Sequence, residues 1–354
     1  METINTPLTE LLKIKYPVML AGMNAVATSE LVAAVTNAGG IGTLGGLTMT
    51  PKMLQKEIDA VKANLHDKNA PFGVDLAIPQ IGGNARKTNH DYTHGKLPEL
   101  TDIIIKEKAA LFVSAVGVPP KWMIDKLHAA GIPVMNMVGH PHHVEKALAA
   151  GVDMICAQGT EGGGHTGEVA TTVLLPMCVD VCRGHKSPLT GKDIIVVAGG
   201  GMFDGRSLAA ALSYGAAGVW VGTRFIASKE SGAPKRHQEL VLKAGVTDTT
   251  KTLIYSGRPL RTYVTDFVRE FESRPADIKA YCDAGVVPIR GDYKKRLSAG
   301  ETYPPHSQVN AMLMGQCAGA VTEIKSASEI VQEIVAGAIV ALQANAVKVG
   351  RAKL

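Results

Sequence analysis

The chain is poor in the residues that mark several protein classes. Only five of its 354 residues are cysteine, and no two of them have C-x-x-C spacing. The odd count and the missing spacing argue against both a disulfide framework and a zinc site. Cys178 and Cys182 are one helical turn apart in an apolar segment. We therefore expect buried free thiols and a reducing compartment.

Long apolar runs and dense basic runs are also missing. No stretch approaches the ~20 apolar residues of a membrane span, and no apolar run follows basic residues at the N-terminus. Lys and Arg are scattered and the net charge is +5, so neither a membrane nor a nucleic acid is a predicted partner. The ending Ala352-Lys353-Leu354 nearly matches the S-K-L peroxisomal signal. We expect a cytoplasmic protein, or a peroxisomal one if the source is eukaryotic.

Apolar residues and glycine are abundant, and together they indicate an α/β fold. The chain is 46% apolar and contains 38 glycines. Short apolar runs, each followed by a helix or by a loop leading to one, predict strands at 16–20, 41–44, 72–78, 110–116, 134–138, 153–157, 194–198 and 218–221. Eight such strands with glycines after them favour a (β/α)8 TIM barrel over a doubly wound sheet. The runs lack clean alternation, which is typical of parallel strands covered on both faces.

The regular alternation of predicted strands and helices ends after residue 245. Residues 246–310 are rich in polar residues, Pro and Arg, and predict a small lid or substrate domain near the C-terminus. Residues 1–245 and 311–354 would then form the barrel with a C-terminal helical return. That helix is predicted from the capping box Ser326-x-x-Glu329 and from helical spacing of Ile330, Ile334, Ala338 and Ala341, which should face the barrel. Nearer the N-terminus, Ser29 is the predicted N-cap of a helix that Gly39 ends.

In a TIM barrel the active site lies at the carboxyl ends of the strands. The sixth strand is followed by Gln158-Gly159-Thr160-Glu161-Gly162-Gly163-Gly164-His165. Such dense glycine allows close backbone approach to a ligand. We predict that His165 is a catalytic imidazole rather than an ordinary satisfied polar group.

Four other strand ends carry candidate ligand contacts. Small residues after the first strand, Ala21-Gly22-Met23, would let a flat ring approach the backbone. Asp75 lies in an apolar strand, where a carboxylate is costly unless a ligand or a buried donor hydrogen-bonds to it. The seventh and eighth strands lead to Gly199-Gly200-Gly201 and Gly222-Thr223, where barrels commonly bind phosphate.

A second group of imidazoles follows the fifth strand. His140, His142 and His143 have no cysteine or carboxylate at a recognisable ligand spacing. No metal is therefore predicted, and His140 is expected to line the pocket.

These motifs together resemble the nitronate monooxygenases, formerly called 2-nitropropane dioxygenases. The resemblance covers residues 10–230, with a weaker match at Gly315-Gln316-x-x-Gly319. The residues that carry it are Tyr16-Pro17-Val18 to Gly22-Met23, Asn37-Ala38-Gly39-Gly40-Ile41-Gly42, Gln158 to His165, Ala198-Gly199-Gly200 and Val221-Gly222-Thr223.

The resemblance implies a TIM barrel that holds FMN beneath a small domain. It places Ala21, Gly22 and Met23 beside the isoalloxazine, identifies Gln158 and Gly159 as flavin contacts, and matches His165 to the catalytic histidine. It assigns the FMN phosphate to the pairs Gly200/Gly201 and Gly222/Thr223. Gly164, Gly199 and Asp75 complete the candidate cofactor residues. Two departures occur: Leu20-Ala21-Gly22-Met23 where Q-A-P-M is frequent, and Asp75 where Asn is common.

The implied activity is FMN-dependent oxidation of alkyl nitronates by O2 to carbonyl compounds and nitrite, with His165 as base or anion-positioning group. The implied partners are a nitronate or nitroalkane, O2 and, for a homodimer, a second copy of the chain. The motifs also resemble flavin-dependent enoyl-[acyl-carrier-protein] reductases, so NAD(P)H-dependent enoyl-thioester reduction is the alternative enzyme function. A flavin-binding regulatory or storage protein without turnover is the alternative outside enzymes.

Overall fold

The fold is a closed barrel of eight parallel strands in a computed structural model, which describes residues 2–348. The barrel strands are β1 (Val18–Leu20), β2 (Gly42–Gly45), β3 (Phe72–Ala77), β4 (Leu111–Ala115), β5 (Val134–Val138), β6 (Met154–Gln158), β8 (Ile195–Gly199) and β9 (Val219–Val221). Neighbours follow the order β1-β9-β8-β6-β5-β4-β3-β2, and a bridge between Met19 and Ile41 closes the ring. All eight predicted strands are confirmed to within two residues, and the TIM barrel with them.

Helices surround the barrel. They are α1 (Pro7–Leu12), α2 (Ser29–Asn37), α3 (Pro51–Asn64), α4 (Leu97–Lys106), α5 (Lys121–Ala129), α6 (His142–Ala150), α7 (Thr171–Cys182), α8 (Gly205–Ser213), α9 (Thr223–Ile226) and α10 (Lys235–Lys243). The predicted N-cap Ser29 is wrong: Ser29 is the first helical residue and Thr28 precedes it without a side-chain cap bond. The Ser29 amide instead donates to the Glu57 carboxylate of α3 at 3.3 Å, so a neighbouring helix replaces the local cap.

The barrel strands are buried on both faces, which explains their unbroken apolar runs. One apolar cluster fills the barrel interior and includes Met135, Met154 and Trp220. A larger cluster lies between the strands and the helices and includes Leu20, Val74 and Ile155. Cys178 and Cys182 are buried in this outer layer as free thiols, as predicted.

The final helix, α15 (Ala327–Ala346), begins with the predicted capping box of Ser326 and Glu329. Its buried residues include Ile330, Ile334 and Ala338, and it packs against α8. A Cβ on Gly205 would overlap the α15 backbone, so glycine is required for this close contact. Of the described helices, α15 alone has the length and apolar composition of a membrane span, but one face is buried against the barrel. Ala352-Lys353-Leu354 lies outside the described residues.

The segment before this return forms a separate layer over the barrel mouth. Its elements are β10 (Thr249–Thr252), β11 (Leu260–Tyr263), α11 (Asp266–Glu272), α12 (Pro275–Asp283), α13 (Pro288–Ser298) and α14 (His306–Val309), with a 3-10 helix at Gln316–Ala320. Ile254, Phe267, Val268 and Phe271 lie at the centre of its own apolar cluster. Its division from the barrel at residues 246 and 310 stays a prediction.

One short strand from the barrel joins this layer. β7 (Gly164–His165) leaves the β6–α7 loop and pairs antiparallel with β11, which also pairs with β10. The glycine-rich loop is therefore part of a three-stranded sheet, and His165 lies opposite Leu260.

Candidate active site

A cavity of about 1680 Å³ opens at the carboxyl ends of the barrel strands. The candidate site residues among its lining are Ala21, Gly22, Met23, Asp75, Gln158, Gly164, His165, Gly200, Gly201, Gly222 and Thr223. Two candidates lie outside the lining. Gly159 packs against Thr171 and Gly200, and Gly199 against Cys156 and Gln158, so both shape the wall from behind.

His165 is placed by hydrogen bonds from two parts of the chain. Its Nε2 shares a hydrogen bond of 2.8 Å with the Ser256 hydroxyl, in the connection between β10 and β11. Gln158 Nε2 donates to the His165 carbonyl oxygen at 2.8 Å. Gly164 has a φ of +72°, which other residues rarely adopt, so the glycine permits the turn into β7.

The surroundings of His165 favour the neutral imidazole. Burial, and secondarily the positive charge of Arg258, lower the pKa of His165 to about 4. The ring is therefore neutral at pH 7 and carries a single N–H. One of its nitrogens donates a hydrogen bond and the other accepts one. Since Nε2 is engaged with Ser256, the Nδ1 atom is the ring nitrogen left without a hydrogen bond within residues 2–348.

Two cations hold the loop that carries His165. Arg261 is buried, and its Nε donates to the Thr160 carbonyl at 3.0 Å while Nη1 donates to the Thr249 hydroxyl at 3.0 Å. Lys251 donates to the Thr160 hydroxyl at 3.1 Å and forms an ion pair with Glu168. Residues of β10 and β11 thus fix a loop that lies 91 to 101 positions earlier in the chain.

The wall after β1 is built for close approach. A Cβ on Gly22 would overlap the Asp75 side chain, and one on Gly45 would overlap the Met23 backbone. Across the wall, Gly222 lies against Ala21 and Met23. A Cβ placed on Gly222 would be 3.5 Å from each of these two side chains. Glycine at these places keeps the surface flat at the point where the sequence predicts a ring system.

Two polar side chains in this wall have buried atoms without partners. Asp75 lies within β3, and its Oδ1 accepts no hydrogen bond from the described residues; the same is true of Asn136 Oδ1 on β5. Burial raises the pKa of the Asp75 carboxyl to about 8. Orphaned buried acceptors are costly and rare, so both atoms are suited to a bound group that donates or accepts hydrogen bonds.

The loops after β8 and β9 form a concave backbone surface. Gly200 and Gly201 have φ values of +83° and +74°, and the Gly201 and Met202 amides donate to no acceptor within residues 2–348. Successive free N–H groups of this kind bind anions. The Thr223 hydroxyl accepts from the Gly315 amide at 2.8 Å and also hydrogen-bonds with the Cys317 side chain, so it lies at the edge of this surface as a polar group. The residues present fit a phosphate.

Imidazoles and cations surround the mouth of the cavity. His140, His142 and His143 line it. The ring centroid of His140 lies 6.5 Å from that of His142 and 5.8 Å from that of His143. Arg86, Lys146 and Arg258 also line it. No group of three or more metal-ligating side chains is found among residues 2–348.

Sequence reasoning missed Ser256, Arg258 and Arg261 because they lie in the polar segment read only as a lid. Arg261 carried one usable signal, its place in the apolar-alternating run Leu260-Arg261-Thr262-Tyr263. Asn136 was also missed, although a polar residue inside a predicted barrel strand is a signal of the same kind as Asp75.

Comparison with known proteins gives the following likenesses. A family model described as nitronate monooxygenase matches residues 5–337. A (3aS,4S,5R,7aS)-5-hydroxy-7a-methyl-1-oxo-octahydro-1H-indene-4-carboxyl-CoA dehydrogenase from Rhodococcus jostii is 42% identical over 272 residues, covering 77% of this chain and 69% of that protein. A probable nitronate monooxygenase from Staphylococcus haemolyticus is 32% identical over 350 residues, covering 88% and 91%.

Two solved structures match nearly the whole fold. FabK from Thermotoga maritima has a TM-score of 0.80 at 28% identity, covering 98% of this chain and 100% of that one. Nitroalkane oxidase from Streptomyces ansochromogenes has a TM-score of 0.78 at 27% identity, covering 96% and 99%. Because the family model spans both the barrel and the layer over its mouth, this chain belongs to the nitronate monooxygenase family.

Proposed function

We propose that the protein is an FMN-dependent oxidoreductase that oxidises alkyl nitronates with O2 to carbonyl compounds and nitrite. The observation that carries the proposal is a neutral His165 that lines the same large cavity as the phosphate-suited glycine loops. Membership of the nitronate monooxygenase family supports the flavin and the oxidoreductase class. We propose, beyond that class, that the substrate is an alkyl nitronate and that the flavin is FMN.

The proposed cofactor residues divide by chemistry. The Gly201 and Met202 amides and the Thr223 hydroxyl would bind one terminal phosphate, as FMN has. Ala21, Gly22 and Met23 would lie beside the ring, and Gln158 and Gly164 would line its pocket. Bound FMN would supply the electron acceptor for the substrate and the site of reoxidation by O2.

Asp75 is suited to a hydrogen bond that an ionised carboxylate could not give. Because its pKa is raised to about 8, the carboxyl is mostly protonated at pH 7. A protonated carboxyl donates as well as accepts. The Asp that replaces the Asn common in the family therefore keeps a donor at this position, and we propose that it contacts the ring.

The low pKa of His165 bears on the choice between nitronate and nitroalkane. A base works best when its pKa is near the operating pH, and a pKa of about 4 makes His165 a weak proton acceptor. A nitronate has already lost its α-proton, so it needs only to be held. The N–H of the neutral ring can donate to the anion and position it, and the hydrogen bond with Ser256 fixes the ring while it does so. This balance favours the nitronate as the faster substrate.

A second candidate function is NAD(P)H-dependent reduction of an enoyl thioester. The observation that favours it is the cavity volume, which exceeds the about 300–1,000 Å³ of ordinary ligand pockets. The relative from Rhodococcus jostii is named for a carboxyl-CoA substrate, which is also a thioester-sized ligand. A binding protein without turnover is the third candidate, and no contact in the site favours it.

The first prediction concerns the cofactor. Flavin released by heat should be FMN rather than FAD. Gly201→Glu should weaken FMN binding by on the order of 10-fold or more, because a carboxylate would oppose the phosphate. Flavin content after dialysis is the measurement. Gly184→Glu is the control, since Gly184 has a similar φ of +82° and a Cβ there would meet nothing within 4 Å.

If both variants keep full flavin, the phosphate lies elsewhere; FAD in the native protein would contradict the assignment directly. Gly201→Gln separates charge from bulk, and should retain more FMN than Gly201→Glu.

The second prediction separates the two roles of His165. His165→Asn keeps polarity but cannot take a proton. Because a pKa of about 4 makes His165 a weak base, kcat/KM on a neutral nitroalkane should fall by less than the about 10²-fold that an efficient general base contributes. On the preformed nitronate, which His165 is proposed to hold, the fall should be of similar size. Nitrite release and O2 consumption by flavin-matched enzymes are the measurements. Ser256→Ala should impair both substrates modestly, because it leaves the imidazole present but less well oriented.

A large loss confined to the nitroalkane would show that His165 acts as an efficient base rather than by holding the nitronate. No loss on either would remove His165 from the site.

The third prediction concerns pH. The pKa of His165 is lowered, so the ring gains its second proton only as the pH falls towards about 4. It is neutral throughout pH 5.5 to 8. Two-dimensional NMR of ring-labelled histidine should show the His165 resonance titrating near 4, well below the ~6.5 of a free imidazole. Arg258→Gln should move this pKa upward, because it removes a repelling charge, whereas Arg183→Gln on the opposite surface should not.

A His165 titration at its ordinary value would mean that the ring is not enclosed as described, and that it serves as an efficient base near neutrality.

A further inference from the structure

A second buried imidazole lines the cavity. His237 lies in the first turn of α10, its side chain is buried, and it is one of the residues that line the cavity. Its Nε2 hydrogen-bonds with the main-chain carbonyl of Leu313 at 2.9 Å. Neither the proposed flavin contacts nor the role proposed for His165 uses this side chain.

The two buried imidazoles are attached to the same edge of one strand. β11 pairs with β10 along one edge, and on its other edge Leu260 lies opposite His165. Two residues further along β11, an isolated bridge pairs Thr262 with Leu313. Because two residues span about 7 Å along a strand, the contact with Leu313 places His237 near His165 on the cavity wall.

The hydrogen bond to Leu313 fixes the tautomer of His237. Burial lowers the pKa of His237, and the bond to the Leu313 carbonyl opposes this shift without cancelling it, so the ring is neutral at pH 7. A carbonyl oxygen accepts hydrogen bonds and never donates, so the single N–H of the neutral ring is on Nε2. Nδ1 is therefore an acceptor, and no donor among the described residues hydrogen-bonds to it.

The surroundings of His237 are apolar. Ile226 and Met312 belong to an apolar cluster that α10 joins through Val241, and both also line the cavity. An acceptor in such a wall loses its hydrogen bonds to water when an apolar molecule covers it, whereas a donor on a bound molecule replaces one of them. A nitronate oxygen would place its own lone pairs against Nδ1 and be repelled. The anionic end of a substrate is therefore not the part that His237 suits.

We propose that His237 is a second substrate-positioning residue, and that its Nδ1 accepts a hydrogen bond from a hydroxyl group on the substrate. His165 would hold the anionic end, and His237 would select among nitronates by the group that the rest of the molecule carries. A site that hydrogen-bonds a substrate hydroxyl discriminates against the analogue that lacks it. The proposal rests on the proposed function only in taking the anionic end to be a nitronate.

Carboxylates test the proposal without turnover, because a carboxylate, like a nitronate, is a planar anion with two terminal oxygens. The ligands are 4-hydroxybutyrate paired with pentanoate, and 5-hydroxypentanoate paired with hexanoate, so that a methyl group replaces the hydroxyl within each pair. Calorimetric titration of the flavin-containing protein gives the ratio of affinities within a pair. A failure to oxidise any nitronate would contradict the proposed function and leave this binding test intact.

Two variants of His237 separate its bond to Leu313 from its free acceptor. The amide nitrogen of Gln can take the place of Nε2, so His237→Gln keeps a donor to Leu313 and loses the acceptor at Nδ1. The amide oxygen of Asn lies nearer to Nδ1, so His237→Asn keeps an acceptor and loses the bond to Leu313. His185→Gln, in the exposed turn after α7, is the matched control.

We expect His237→Gln to lower the affinity of the hydroxyl ligand relative to its methyl partner by about 10-fold in at least one pair, the size of one hydrogen bond. Its affinity for the methyl ligand should change by less than about 2-fold. His237→Asn should keep more of the ratio than His237→Gln, and the control should keep all of it. In turnover, KM for the nitronate of 3-nitropropan-1-ol should rise in His237→Gln relative to that for 1-nitrobutane, with kcat little changed.

An unchanged ratio in His237→Gln, equal losses for both ligands of each pair, or no detectable binding of any of the four carboxylates would overturn the proposal. Loss of flavin from His237→Gln with an unchanged ratio would also overturn it, because the donor that Nδ1 accepts from would then belong to the cofactor.

Discussion

The pairing of Gly164 and His165 with β11 is the contact on which the site depends. It joins a barrel loop to the layer over the barrel mouth by main-chain hydrogen bonds, so the loop has one defined position. The same pairing brings His165 to Ser256 and Thr160 to Arg261. Without it, eight glycine-lined strand ends would remain, but the imidazole would be on a mobile loop. The layer over the mouth therefore positions the catalytic candidate as well as enclosing the cavity.

The unpartnered polar atoms of the barrel interior are the second constraint. A buried acceptor without a donor costs about 1–3 kcal/mol, and Asp75 and Asn136 each present one in the same cavity. Proteins retain such atoms where a ligand satisfies them. With the free amides at Gly201 and Met202, they form a set that one flat, phosphate-bearing cofactor would satisfy together.

Much of the barrel could be predicted because its signals are local. An apolar run bounded by glycine indicates a buried strand, and the positive φ of Gly39 confirms the helix end predicted there. The candidate residues after the strands could be named for the same reason, since the fold rule fixes where strand ends meet. Ser29 was wrong because its amide is capped by Glu57 from another helix, a contact between distant residues.

The rest of the site depends on such distant contacts. Ser256 meets His165 across 91 positions, and Arg261 meets Thr160 across 101. No periodicity within a short window encodes these pairings, so the sequence predicts a lid at residues 246–310 without resolving β10, β11 and their helices. The family match spans residues 5–337 and therefore extends beyond the resemblance at 10–230 into the covering layer.

The central claim is that a nitronate reduces the flavin in this cavity. Its most direct measurement is the absorbance of the purified protein under anaerobic conditions after addition of propionate 3-nitronate, NADH or an enoyl thioester with NADH, each in a separate stopped-flow experiment. The account predicts rapid loss of the oxidised-flavin band with the nitronate alone, and slow or no loss with NADH. Rapid bleaching by NADH, with reoxidation by the enoyl thioester and no reaction with the nitronate, would contradict it and establish the reductase instead.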